Sequence, residues 1–290
     1  MTEFRDNIHL PSDIFNFLHK NPSGEVLLTT SKGIYLQFSS RIFLLTDSAY
    51  GLTPIGIGLS RFMDFVTALS PKPGHRVFIT NAGIHFPSGL LSPIWSVEQP
   101  ELMALQILPE QAAHSARLLV SQCNERSLAA MAAPLLLDLP LSSAAENNPY
   151  CTRAMPILKG LLSALSDRNC EKVNDSVSHL LGLGIGLTPS MDDILLGMLY
   201  GLLRSPSQQA LAAVLRQAII SHAPSRTNAI SAAYLEAVAS GGCFERLDHI
   251  IETLSSNSPI NIAPLLEIGS SSGSEMLLGL LLATKIAMKG

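Results

Sequence analysis

"GLGIGLTPSMDDILLG", residues 182–197, packs three alternating glycines, a Thr-Pro-Ser turn, two adjacent acids and an apolar run into sixteen positions. Ser190 followed by Asp193 has the spacing of a capping box, in which the serine accepts a first-turn N–H and the acid reaches back to the N-cap amide. The dipole of the following helix also favours Asp192 and Asp193 at its start. A helix is therefore expected from Ser190 to Leu203. Capping accounts for the serine and the acids, but not for Gly182, Gly184 and Gly186. Glycines before a helix start let backbone N–H groups approach a ligand closely, as in anion-binding loops. A helix, Glu171–Leu181, is expected before them, so the strand-first dinucleotide fingerprint does not apply.

Working outward, "GSSSGSEMLLGLLLAT", residues 269–284, nearly repeats the feature. Ser272 aligns with Ser190, Glu275 with Asp193, and Gly279 with Gly197. Ser272–Glu275 reads as a second capping box. An interior helical glycine costs ~1 kcal/mol against alanine, and close packing of the two helices would compensate. Packed side by side in parallel, they aim both N-termini at one place, suited to a carboxylate or phosphate. Three acids there would repel an anion unless capping engages them or a Mg²⁺ held by one or two carboxylates bridges them. Gly269–Gly273 also matches GxSxG, but no histidine follows Ser271, and a hydrolase elbow needs one. Between the two features, residues 221–242 read as a polar turn and a helix over Arg226–Ser240, with Arg226 and Thr227 at its start. Arg226 is the candidate for bidentate anion recognition.

The remaining chain sets the class. Glu25–Thr30, Ile34–Phe38, Ile42–Thr46, Arg76–Thr80 and Gly83–Phe86 are short strand-forming runs at hairpin spacing. Ser60 reads as the cap of a helix carrying Phe62, Phe65, Val66 and Leu69. From about residue 101 alanine and leucine dominate, with helices expected at Pro109–Gln122, Thr152–Leu165, Ser207–Ser221, Phe244–Leu254 and Ser272–Lys289, and an exposed loop at Pro140–Pro149. The class is α+β: a β-rich N-terminal part, 1–100, then a mostly helical part, 101–290.

Composition excludes several functions. The 290 residues are 47% hydrophobic and 14% charged, with net charge −4 and no basic block, which excludes nucleic acid. So low a charge implies surface covered by partner subunits or a second copy of the chain. The longest apolar runs, Ile194–Leu203 and Met276–Ala283, fall short of the ~20 residues of a membrane span. Cys123, Cys151, Cys170 and Cys243 lack CxxC spacing, and Glu3, Arg5 and Asp6 precede any apolar run. A cytoplasmic protein with reduced thiols and no dedicated metal site is expected.

The segment at 182–197 together with "IGSSSGSEMLLG" resembles the AllH-like family, named for a subunit of bacterial oxamate carbamoyltransferase. "RTNAISAAYLEAVASG" is similar to that family's intervening helix. The family's first signature falls on Gly182, Gly184, Gly186, Leu187, Thr188, Pro189, Ser190, Asp192, Asp193, Leu195 and Gly197, and its second on Gly269, Ser271, Ser272, Gly273, Leu277 and Gly279. Ile185 stands for the family proline, Ser270 for its histidine, Ser271 for its threonine and Glu275 for its aspartate. The resemblance implies FdrA-like and AllG-like partner subunits and carbamoyl transfer between oxalurate and phosphate in purine (allantoin) catabolism. On this reading Gly184, Gly186, Thr188, Ser190, Asp192, Asp193, Arg226, Thr227, Ser271, Ser272 and Gly273 bind a small anion of the oxamate, oxalurate or carbamoyl phosphate type, with no catalytic residue assigned. The alternative is a non-catalytic scaffold that docks the same partners.

Overall fold

A computed structural model describes residues 2–98, 104–124 and 127–288. The chain divides into two compact units, Met1–Glu101 with Gly242–Glu245, and Leu102–Gly241 with Arg246–Gly290.

The first unit is a closed eight-stranded barrel. Its strands are β1 (Thr2–Pro11), β2 (Ser23–Thr29), β3 (Gly33–Phe38), β4 (Arg41–Asp47), β5 (Gly56–Leu59), β6 (Arg76–Thr80), β7 (Gly83–Phe86) and β8 (Gly89–Glu98), in the order β1-β5-β4-β3-β2-β6-β7-β8. β1 and β8 pair in parallel along ten residues and close the ring. Alternation drives the fold: in β6, Val77 and Ile79 are buried while Arg76, Phe78 and Thr80 face out. Helices α1 (Ser12–Lys20) and α2 (Phe62–Leu69) add Ile14, Leu18, Phe62, Phe65 and Leu69 to the same core as Leu36, Phe43, Leu45 and Leu91.

The strand runs at β2, β3, β4, β6 and β7 were legible. β1, β5, β8 and α1 were not. β5 is four residues long with two glycines, and only its pairing to both β1 and β4 makes it a strand. Ser60 does not cap α2. The N-cap is Arg61, without a side-chain cap bond, because the chain leaves β5 only at Leu59 and turns through Ser60.

The second unit is helical: α3 (Pro109–Gln122), α4 (Ala132–Leu136), α5 (Ser143–Glu146), α6 (Pro149–Ser166), α7 (Cys170–Leu180), α8 (Ser190–Arg204), α9 (Gln209–Arg226), α10 (Ala229–Ala239), most of α11 (Glu245–Leu254), α12 (Ala263–Leu266) and α13 (Ser272–Ala287). The loop expected at Pro140–Pro149 contains α5, which Ser142 caps by accepting from the Ala145 N–H. The helix expected to reach Lys289 ends at Ala287 with Met288 as its C-cap, and Lys289 itself lies outside the described residues.

At the centre, α8 and α13 are buried on all sides, as expected of helices apolar all round. They run parallel, and their backbones touch. A Cβ on Gly197 would lie 2.0 Å from the Met276 carbonyl oxygen, and one on Gly279 would lie 2.0 Å from that of Ile194. One turn on, a Cβ on Gly201 would lie 2.8 Å from that of Ala283. α9 and α10 flank α8, while α3, α4 and α12 flank α13. No helix among the described residues is long and apolar enough to cross a membrane.

The two kinds of helical glycine make a test. A Cβ on Gly160 in α6 would meet only Ser176 Oγ, at an ordinary contact distance of 4.0 Å, so Gly160→Ala should stabilise by roughly 0.5–1 kcal/mol through helix propensity. Gly197→Ala gains the same propensity yet must push α13 away, so it should destabilise by more than 2 kcal/mol, the scale of overpacking. Urea unfolding of both variants decides it, and equal effects would refute the backbone contact.

Candidate functional site

The parallel pairing brings the two glycine-flanked helix starts together. Thr188 Oγ1, just before α8, lies 3.1 Å from Ser272 Oγ, the first residue of α13. Three carboxyl groups are buried beneath them: Asp192, Asp193 and Glu275. Each is held by neutral donors. Asp192 accepts from the Gly182 N–H at 2.7 Å, from Ser231 Oγ at 2.6 Å and from Thr227 Oγ1. Asp193 accepts from Thr188 Oγ1 at 3.0 Å and bonds Ser272. Glu275 accepts from Ser127 Oγ, the Leu128 N–H and Ser271 Oγ, each at 3.1 Å.

Neither capping box forms. The N-cap of α8 is Pro189, and Ser190 is the first helical residue. Proline has no N–H to receive the returning acid of a capping box, so Asp192 and Asp193 bond outside their own helix start. In α13 the N-cap is Ser271 and has no side-chain cap bond; its hydroxyl donates to Glu275 four residues on. Both starts are thus displaced by one residue from the sequence reading.

The glycines also serve a different purpose. Gly182 and Gly184 have φ of +78° and +128°. A Cβ on Gly182 would lie 2.2 Å from the Arg226 carbonyl oxygen, and one on Gly184 would lie 2.4 Å from the Ser190 nitrogen. The close approaches are of the loop to the end of α9 and to the start of its own helix, α8. The Met191 N–H donates to the Leu183 carbonyl at 3.0 Å, and the Gly273 N–H to that of Ile268 at 3.1 Å. One first-turn amide of each helix is therefore taken by the preceding loop. Gly186, with φ +109°, stands at the exposed tip between Ile185, 73% exposed, and Leu187, 43% exposed. Gly184→Val consequently strains the loop itself and does not report on a ligand.

Arg226 is not at a helix start. α9 continues to it, and it occupies the last turn, where the dipole favours a cation. Its side chain is exposed, and its carbonyl lies against Gly182. Thr227 follows as the C-cap of α9 and gives its hydroxyl to Asp192. Asn228 then caps α10 by accepting from the Ile230 and Ser231 N–H groups, and its amide holds the Leu187 carbonyl at 2.8 Å. Asn228, Ser231 and Ser127 are contributors that spacing alone did not reveal. Asn228 just ahead of an Ala-rich run is an N-cap signal, whereas Ser127 comes from a distant segment with no local signature.

Electrostatics follow from burial. Asp193 is 3% exposed, and loss of water, with Glu275 nearby, raises it well above the usual carboxylate range. The bonds from Ser272 and Thr188 oppose this only partly. Asp192 is raised too, by burial, against its three donors. Burial likewise lifts the Cys151 thiol to about 11, with Glu275 contributing. Among the described residues, no group of three or more His, Cys, Asp or Glu side chains is placed to hold a metal ion. The three carboxylates direct their oxygens at hydroxyl and amide donors, so these residues do not fit the bridging Mg²⁺ considered above.

Residues 180–284 match the model of the family described as oxamate carbamoyltransferase subunit AllH. Over that segment, which is less than half of the chain, the protein is similar to the AllH family. The matched segment spans both glycine-flanked starts and the α9–α10 turn that ties them down. No solved structure matches the chain significantly.

Two predictions follow from the carboxyls. A buried acid with a raised pKa keeps its proton folded after the unfolded chain has lost it. Its stabilising contribution is full below the unfolded value of about 4 and falls as pH rises toward the folded value. Asp193→Asn keeps the shape and an acceptor for Thr188 but cannot ionise. Urea midpoints should fall from pH 5 to pH 8 more steeply in the parent than in this variant, and parallel slopes would contradict a protonated Asp193. Asp192→Ala strips three donors of their acceptor, each buried loss costing about 1–3 kcal/mol. Amide exchange at residues 182–187 should quicken at least tenfold, and an unchanged rate would show that the loop is held otherwise.

Proposed function

We propose that the chain is the anion-binding subunit of a carbamoyltransferase-type complex and holds a small carboxylate or phosphoryl group over the paired starts of α8 and α13. The observation that carries this reading is the 3.1 Å approach of Thr188 Oγ1 to Ser272 Oγ, which joins the two helix starts at one point. Parallel N-termini add their positive ends there. Asp193 does not by itself defeat it: burial raises its pKa, and in its protonated form it carries no charge and offers its proton to Thr188 or Ser272, whose hydroxyl hydrogens then turn toward a ligand. Gly184, Gly186, Ser190, Ser271 and Gly273 shape the loops, and Asp192 with Thr227 locks them. Arg226, exposed in the last turn of α9, supplies the counter-charge in this proposal. Such a site stabilises developing charge and positions a substrate, and requires no covalent intermediate. FdrA-like and AllG-like subunits are the partners in this proposal, with oxamate, oxalurate or carbamoyl phosphate as substrate class. Activity belongs to the assembled complex.

A scaffold is the second reading. It is favoured by Ile185 and Leu187, which stand exposed on the loop at this place, and by the loop carbonyls that take the Met191 and Gly273 amides.

Calorimetric titration with phosphate, oxamate and oxalurate, on the chain alone and on the complex with its partner subunits, separates the two. The proposal expects saturable binding of one of them, weakened about tenfold by Thr188→Val with Ser272→Ala, the scale of one or two lost hydrogen bonds. Ile185→Asp should leave that binding intact. No binding in either state, together with loss of complex assembly in Ile185→Asp, would leave the scaffold.

A further inference from the structure

We draw no further inference here: the strongest candidate, the hydrogen-bonded cluster of Thr188, Asp193 and Ser272 at the paired starts of α8 and α13, belongs to the site already described and rests on helix N-termini and a buried acid, with no second feature beside it that points to a ligand.

Discussion

The direct backbone contact between α8 and α13 is the constraint on which the helical unit depends. Gly197 and Gly279 each leave room for a carbonyl of the other helix, at a distance where any Cβ would collide. Two helices this close exclude water along their shared face, so the residues that line it must be apolar or internally satisfied. From Ile194 and Met276 onward both helices are apolar for most of their length. The polar residues are concentrated in the first turns, where the helices meet the loops and hydroxyl and amide donors are available.

That arrangement explains an otherwise costly feature. Three carboxyl groups lie buried within two helix starts, and the hydrogen bonds that hold them come from serine and threonine hydroxyls and backbone amides. Burying an ionised carboxylate is expensive unless it is well bonded. Asp192 has three donors, and its pKa is still raised by burial. Asp193, facing Glu275, is raised well above the usual range. The cluster thus combines rigid attachment of the loops with a carboxyl, Asp193, that burial holds well above the usual carboxylate range. The same chemistry fits an anion held above it and fits a purely internal lock.

The barrel unit follows a different principle. Apart from β1 and β8 its strands are short, and several bury little by themselves; closure through the β1–β8 pairing lets them share one interior. α1 and α2 contribute aromatic and branched side chains to that interior, so the small barrel is filled by packed side chains.

The sequence by itself determined the α+β class, most hairpin strands of the barrel, most helices of the second unit and the equivalence of the two glycine-flanked starts. These are properties of local periodicity, chain punctuation and internal repetition, which need no distant partner to be read. The similarity to the AllH family was also legible, because the long signature at 182–197 keeps its order and spacing. What only the tertiary structure decided is how each residue is used. β5 is a strand because two neighbours pair with it. Gly182 and Gly184 are glycines because their loop folds onto Arg226 and Ser190. Asp192, Asp193 and Glu275 are acids held across segments by Ser231, Ser272 and Ser127, and Glu275 also accepts from Ser271, the N-cap of its own helix. A proline at the N-cap of α8 removes the donor that a local box requires, and the hydroxyl of Ser231, which bonds Asp192 instead, lies 39 residues away in the chain. Spacing reports which groups could bond locally, and the fold decides which of them meet.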